Sequence, residues 1–291
     1  MSNLLNLVVA GLATGAIYAL VAIGFTLLWQ TSQTINFAQG EFVMVPAFFM
    51  LAAVNLGAPF WLAVLIGLAI TLVILGWGFK RLLVDPMLRH GVLPLAIATM
   101  ALSLFMKESV KEFFTAEAQP FPSVVPASDV NFLGAVVSMQ SIGVLAVAVL
   151  AVVALQAFLT RTSVGHQMQA TAQNATVARI LGIPVERMIL YTFLINAGLV
   201  ALASVLITPI YLAKFSSGEV LGQAAFIAAI VGGFNQVRGA IAGGLLLGVV
   251  DNLAATYVST QYRAAIPLFL LIAVILFRPQ GLFGRAEERT V

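Results

Sequence analysis

Cysteine is absent from the 291-residue chain, so no disulfide framework, thiol nucleophile or thiolate metal site is possible. Its two histidines, His90 and His166, are too few and too far apart to argue for a metal. Charge is scarce as well: 9% of residues are charged, against roughly a quarter in an ordinary soluble domain. Polar groups this sparse do not cover a globular surface, and with 61% hydrophobic residues the chain reads as an integral membrane protein. Absent too is the G-x-x-x-x-G-K-[ST] pattern, in which backbone amides cradle phosphates while a lysine reaches them. The lysines Lys80, Lys107, Lys111 and Lys214 all stand elsewhere. Active transport would then draw its energy from ions or from a partner. The net charge of +3 is small and falls in short loops, which makes nucleic acid a poor partner and a topological role the better reading.

What the chain does have is a series of apolar runs. The start, MSNLLNLVVAGLATG, lacks a basic leader, and its apolar run continues to Trp29, which reads as a retained span. At about 1.5 Å per residue, Leu4 to Trp29 is long enough for a tilted crossing of a hydrocarbon core of about 30 Å. Further runs are Phe42–Val54, Phe60–Phe79, Val92–Met106, Ile142–Leu159, Met188–Ile207, Leu221–Phe234, Ala240–Ala255 and Ala264–Phe277. Alternation of the loops is read as about eight spans, with the first two runs as the place where a re-entrant or split segment would change parity. The expected architecture is a single all-α transmembrane domain over residues 1–291.

The loops differ in charge. Lys80–Gly91 reads as a basic loop with a proline. Residues 107–141 carry Glu108, Glu112, Glu117 and Asp129 with three prolines, and no independent domain fits there. If 160–187 is cytoplasmic, that side holds Lys80, Arg81, Arg89, Arg161, Arg179, Arg187, Arg238, Arg278, Arg285 and Arg289, while Lys107, Lys111, Lys214 and Arg263 lie opposite. The positive-inside rule then sets the orientation, with the C-terminus cytoplasmic and 107–141 periplasmic.

Two polar stretches invite a functional reading. Gln30–Phe42 mixes amides, a glycine and Glu41 between apolar runs, and irregular backbone survives at membrane depth only against protein or a wet cavity. Glu41 reads equally as a first-turn carboxylate favoured by the helix dipole. Asp251, within an apolar run, reads as an interior residue bonded to Asn252 or a neighbouring helix. Neither has a mid-span basic partner, which weakens a proton relay. The glycines Gly232, Gly233, Gly239, Gly243, Gly244 and Gly248 suit close helix packing in lipid.

In Thr160–Arg187, Asn174 is a candidate N-cap, Val177, Ile180 and Leu181 form an i, i+3, i+4 apolar edge, and Gly182 suits a C′ position before Pro184. This predicts a two-turn amphipathic helix, either lying on lipid headgroups or docking a protein. Three large apolar residues make lipid binding weak. The small residues Ala170, Ala172, Ala175 and Ala178, with Arg179 as a charged contact, suit close approach by a protein partner.

INFAQGEFVM (35–44), QATAQNATVARILGIP (169–184), VGGFNQVRGAIAGGLLLGVVDNL (231–253) and RPQGLFG (278–284) together resemble the permease subunits of ABC importers for branched-chain amino acids. Their order covers nearly the whole chain, and its length resembles the smaller of two paired permeases. The resemblance implies a B12-importer-like (type II) bundle in the bacterial inner membrane and no catalytic or metal-binding residue in this chain. It also implies two ABC ATPase subunits that carry ATP and Mg, a second permease in a heterodimer or homodimer, and a periplasmic substrate-binding protein. Carried over by position, the coupling helix is Ala170–Gly182, with Gln173, Asn174, Ala178, Arg179 and Gly182 as ATPase-coupling residues. The substrate pathway falls on Asn36, Phe37, Gln39, Glu41, Gly232 and Gly233. Gln39 stands where the family commonly has histidine, and Gln236, Val237 and Arg238 replace the usual glycine and proline in a turn. An ion-coupled secondary transporter or facilitator is the competing reading.

Overall fold

A computed structural model describes residues 2–114, 116–123, 128–132, 135–258 and 265–284. Arg263, Arg285 and Arg289 of the charge count lie outside them. Twelve α-helices are described: α1 (Ser2–Ser32), α2 (Gln39–Asn55), α3 (Phe60–Thr71), α4 (Asp85–Leu88), α5 (Val92–Phe113), α6 (Met139–Arg161), α7 (Ser163–Gln173), α8 (Ala175–Ile180), α9 (Val185–Tyr211), α10 (Ser217–Gly232), α11 (Val237–Tyr257) and α12 (Ala265–Phe277). Between α5 and α6, β1 (Asp129–Phe132) pairs antiparallel with β2 (Ala135–Ser138).

Among the described residues, six helical stretches are long and apolar enough to cross a membrane: Leu4–Ser32, Phe60–Leu88, Val92–Phe113, Met139–Arg161, Val185–Tyr211 and Val237–Tyr257. Three shorter apolar helices, Gln39–Asn55, Ser217–Gly232 and Ala265–Phe277, stand beside them. At 1.5 Å per residue the 13 residues of α12 extend about 20 Å, short of a full hydrocarbon core. Large apolar side chains face outward on these helices, as Leu65, Leu104, Leu150 and Phe269 do, which suits lipid rather than water as solvent.

The chain forms two compact units. One comprises Met1–Thr26, Val125–Val149 and Gln223–Val291. In it α1 and α11 touch backbone to backbone: a Cβ on Gly11 would come 2.9 Å from the Val249 Cα, and one on Gly244 would come 2.6 Å from the Ala19 Cα. Close approach of this kind, rather than hydrophobic burial, holds helices together in lipid. Asp251 on α11 accepts a hydrogen bond from the Tyr18 hydroxyl of α1 at 3.3 Å, so a neighbouring helix supplies a partner, as one of the two readings from sequence expected. Asn252 instead donates to the Gly248 carbonyl one turn back.

Leu27–Val124 and Leu150–Gly222 make the second unit. Here α2 packs against α3, α5 and α9, and α9 packs against the helix that follows α3. That helix corrects the reading of Lys80–Gly91 as a loop. It continues without a break through Leu88, with widened π turns over Leu72–Gly78 and Lys80–Val84. The Phe79 amide reaches the Ile74 carbonyl and the Asp85 amide reaches the Lys80 carbonyl, both five residues back. The extra residue per turn swings Lys80 inward, where its ammonium meets Asp85 at 3.0 Å and Glu186 at 3.5 Å. A polar count taken from sequence cannot see that charge neutralised inside the fold.

Candidate functional site

The break between α1 and α2 begins at Gln33, where the backbone turns left-handed at φ 52°. Asn36 then folds its side chain back, and its Oδ1 accepts from the Ala38 amide at 3.0 Å. Its Nδ2 donates to the Gln39 Oε1 at 3.3 Å. Gln39 in turn exchanges two hydrogen bonds with Asn196 of α9: Gln39 Nε2 donates at 2.6 Å, and Asn196 Nδ2 returns one at 3.1 Å. All three amides are buried, with Gln39 fully so. Phe37 differs. Its amide donates to the Thr99 hydroxyl of α5 at 3.2 Å while its side chain is 37% exposed.

Glu41 sits in the first turn of α2, as read from the sequence, and is buried with the Ser103 hydroxyl close by. Gly40 lies against Gly218 and Gly222 at the start of α10, so the two helices open in contact. Lys107 and Glu219 join across the same place at 2.8 Å. Thus Asn36, Phe37, Gln39 and Glu41 form one cluster. Gly232 and Gly233 pack elsewhere, against Gly239 and against the Gln280–Gly284 segment, whose Leu282 and Phe283 amides donate to the Val231 and Gly232 carbonyls at 2.8 and 3.0 Å.

Sequence reasoning missed Asn196, Thr99 and Ser103. Asn196 left one signal, an amide in the middle of the apolar run Met188–Ile207. Thr99 and Ser103 left a spacing of four in Val92–Met106.

The second element is the 160–187 stretch. It is two helices rather than one. Asn174, at φ −159° and ψ 102°, interrupts the chain: its amide closes α7 on the Ala170 carbonyl at 3.1 Å. Its Oδ1 meanwhile caps α8 by accepting from the Thr176 and Val177 amides, both at 3.0 Å. Ala170 and Gln173 accordingly belong to α7, and Ala178 and Arg179 to α8. At the far end Gly182 is left-handed at φ 81°; its amide bonds the Arg179 carbonyl at 3.1 Å and the Ile183 amide bonds Ala178 at 3.0 Å. That is a Schellman stop, and it confirms the N-cap and C′ positions expected from sequence.

The faces of α8 sort differently from the small-residue reading. Ala178 is 2% exposed and turned into the protein, while Ile180 is 79% and Leu181 73% exposed, with Val177 beside them. Arg179 is also exposed and lies 3.8 Å from Glu186, the carboxylate that Lys80 approaches from within. α7 is fixed to the end of α6 by Gln169, whose Nε2 donates to the Leu159 carbonyl at 2.6 Å. The apolar edge of α8 is therefore presented outward beside α7.

Six helices long and apolar enough to cross a bilayer, among the described residues, define a multi-pass membrane protein. The chain belongs to the family of branched-chain amino acid transport system permease components, whose model matches residues 7–275. Among its relatives are two whose names read high-affinity branched-chain amino acid transport system permease protein. One, LivH from Salmonella typhimurium, is 32% identical over 97% of this chain and 96% of its own length. The other, BraD from Pseudomonas aeruginosa, is 33% identical over 99% and 98%. A fructose import permease protein from Bifidobacterium longum, FruG, is 26% identical over 84% of this chain and 74% of its own length. No solved structure matches the chain.

Proposed function

We propose that this chain is the membrane-spanning, non-catalytic subunit of an ATP-driven importer that carries branched-chain amino acids across the bacterial inner membrane. Its partners are a second permease, in a heterodimer, two ABC ATPase subunits that bind ATP and Mg, and a periplasmic binding protein that delivers substrate. The bundle is of the B12-importer type with eight spans, the shorter helices α2, α10 and α12 completing or re-entering the six long ones. The 107–141 loop faces the periplasm; the 160–187 stretch and the C-terminus face the cytoplasm.

The observation that carries this reading is α8. A six-residue helix capped at both ends, with Val177, Ile180 and Leu181 outward and Arg179 beside them, has the size and chemistry of a plug for a groove in a protein. It is too small to hold a lipid surface. Closure of the ATPases then moves α8, and through Arg179, Glu186 and Lys80 the movement reaches the helix that follows α3. A ligand shifts such an equilibrium only by its differential affinity for the two states, which here is ATP's preference for closed ATPases. Substrate passes along the interface with the second permease. Phe37, the exposed member of the α2 opening, is the side chain best placed to meet it, while Asn36, Gln39 and Glu41 hold the opening in shape and Gly232 and Gly233 let helices close up.

The test is uptake of labelled leucine into proteoliposomes that hold the full complex with ATP inside and the binding protein outside, with excess valine or fructose as competitor. ATP-dependent uptake that valine reduces and fructose leaves alone supports the reading. Uptake by this chain alone, driven by a proton or sodium gradient, would overturn it in favour of an ion-coupled carrier.

A further inference from the structure

The start of α2 reads Phe37-Ala38-Gln39-Gly40-Glu41, and the start of α10 reads Phe215-Ser216-Ser217-Gly218-Glu219, the same F-x-x-G-E twice. Each copy follows a long helix, α1 or α9, and opens a shorter one of 17 or 16 residues. Each is preceded by a backbone reversal, at Gln33 (φ 52°) and Leu212 (φ 65°), the two non-glycine residues with positive φ among those described. The two glycines meet: a Cβ on Gly218 would lie 2.9 Å from the Gly40 carbonyl carbon and the Glu41 nitrogen, and one on Gly222 would lie 2.8 Å from the Gly40 Cα.

One face of α5 engages both copies. Thr99, Ser103, Lys107 and Lys111 recur every four residues, a single stripe along a helix. Thr99 accepts from the Phe37 amide, Ser103 lies near the Glu41 carboxylate, Lys107 pairs with Glu219 at 2.8 Å, and Lys111 stands 5.9 Å from the Phe215 ring centroid. Read along α5 the partners run Phe37, Glu41, Glu219, Phe215. The two segments thus meet the stripe in opposite order.

We propose that α5 is a clasp across the two F-x-x-G-E segments, whose Lys107–Glu219 half opens during the transport cycle. The two halves are unequal. Glu41 is buried and held from inside, whereas the Glu219 side chain is 69% exposed and that of Lys107 24%. An ion pair that water reaches is weak and opens at little cost. The glycine contact beneath it carries no side chain that would have to be unthreaded.

This rests on the transport reading, and the test separates the two. Because the chain has no cysteine, Lys107→Cys with Glu219→Cys introduces the only thiols in it. The pair is bridged with a short bis-methanethiosulfonate reagent in the complete complex, its other subunits also free of reactive cysteine. The bridge is expected to form at rest, to abolish substrate-stimulated ATP hydrolysis and leucine uptake, and to restore both on reduction. A pair that will not bridge at rest, or a bridged complex that turns over at the unbridged rate, overturns the clasp. Charge reversal gives a second arm. Lys107→Glu is expected to lose stimulated hydrolysis and Lys107→Glu with Glu219→Lys to recover it; an assembled double variant no better than the single overturns the pairing. If the unaltered complex takes up no leucine, the substrate assignment fails while the effect of the bridge on ATP hydrolysis still decides the clasp.

Discussion

Gln39 and Asn196 face each other amide to amide, each donating to the other, at 2.6 and 3.1 Å across 157 residues of sequence. The pair fixes the opening of α2 to the middle of α9, and both residues are at most 1% exposed. Removing Asn196 leaves the Gln39 Nε2 without its acceptor, while the Gln39 Oε1 keeps the Asn36 donor. Asn196→Ala is therefore expected to cost about 1–3 kcal/mol, the penalty for an unsatisfied buried polar group, read as a lower melting temperature in detergent. Gln39→Leu with Asn196→Leu is expected to cost less than the two single changes summed, since the Gln39–Asn196 exchange is lost only once, the Asn36 Nδ2 giving up its acceptor as in the Gln39 single change. Single variants that melt with the wild type would show that the pair does not hold the opening.

Gly182 isolates the C-terminal stop of α8. Nothing lies within 4 Å of a Cβ placed there, so Gly182→Ala meets no steric obstacle and tests the backbone alone, at φ 81°. A cost of roughly 1 kcal/mol is expected from forcing alanine into the left-handed region. At the other end, Asn174→Ala removes the cap that holds the Thr176 and Val177 amides and is expected to cost about 1 kcal/mol. Both changes loosen a helix too short to stand without its ends. In the assembled complex they are expected to reduce substrate-stimulated ATP hydrolysis more than they lower the melting temperature of the permease. Unchanged coupling with both ends weakened would count against α8 as the transmitting element.

These caps were legible in the sequence because capping is local: Asn174, Gly182 and Pro184 act on amides a few residues away. The position of Glu41 in a first turn was legible for the same reason. What was hidden depends on distant partners. Lys80 marked a loop in the sequence, yet Asp85 and Glu186 neutralise it and the helix runs on to Leu88. Asn196 is one polar residue in an apolar run until Gln39, far off in the chain, gives it a role. The expectation of one helix over Ala170–Gly182 missed that an asparagine able to cap α8 must also end α7. Ala178 reads as a docking contact from its size, and only the fold shows that it faces inward while Ile180 and Leu181 face out.

That sorting of faces changes which residues probe docking. Ile180→Asp and Leu181→Asp alter side chains that touch little of their own chain, so the isolated permease is expected to keep its stability within about 0.5 kcal/mol. Binding of the ATPase subunits is expected to fall sharply, as measured by co-purification in detergent, because each variant buries a charge in an apolar contact. Full retention of the ATPases by the double variant would remove α8 from the interface.

The Lys80 cluster carries an asymmetry. Its ammonium is nearly buried, but the Asp85 and Glu186 side chains are 31% and 71% exposed. Lys80→Met leaves two carboxylates that water can still reach, and an apolar stem in an apolar place, so a modest loss of stability is expected. Asp85→Asn with Glu186→Gln instead leaves a buried ammonium without a counter-charge, the more costly way to break such a pair. The double neutralisation is expected to lower the melting temperature further than Lys80→Met. The reverse order would mean that Lys80 reaches solvent when the protein is free in the membrane.

Gly244 and Gly198 give the sharpest contrast among the membrane helices. On α11, a Cβ at Gly244 meets the α1 backbone, 2.6 Å from the Ala19 Cα, and backbone cannot rotate aside. Gly244→Val must push α1 and α11 apart and forfeit the close packing that holds them in lipid, so loss of folded protein by size exclusion is expected. On α9, a Cβ at Gly198 meets nothing within 4 Å, and alanine fits a helix interior better than glycine by about 1 kcal/mol. Gly198→Ala is expected to raise the melting temperature slightly and to leave uptake unchanged. Should Gly198→Ala instead abolish uptake with the fold intact, the open space beside Gly198 is filled during transport, by substrate or by a helix of the second permease.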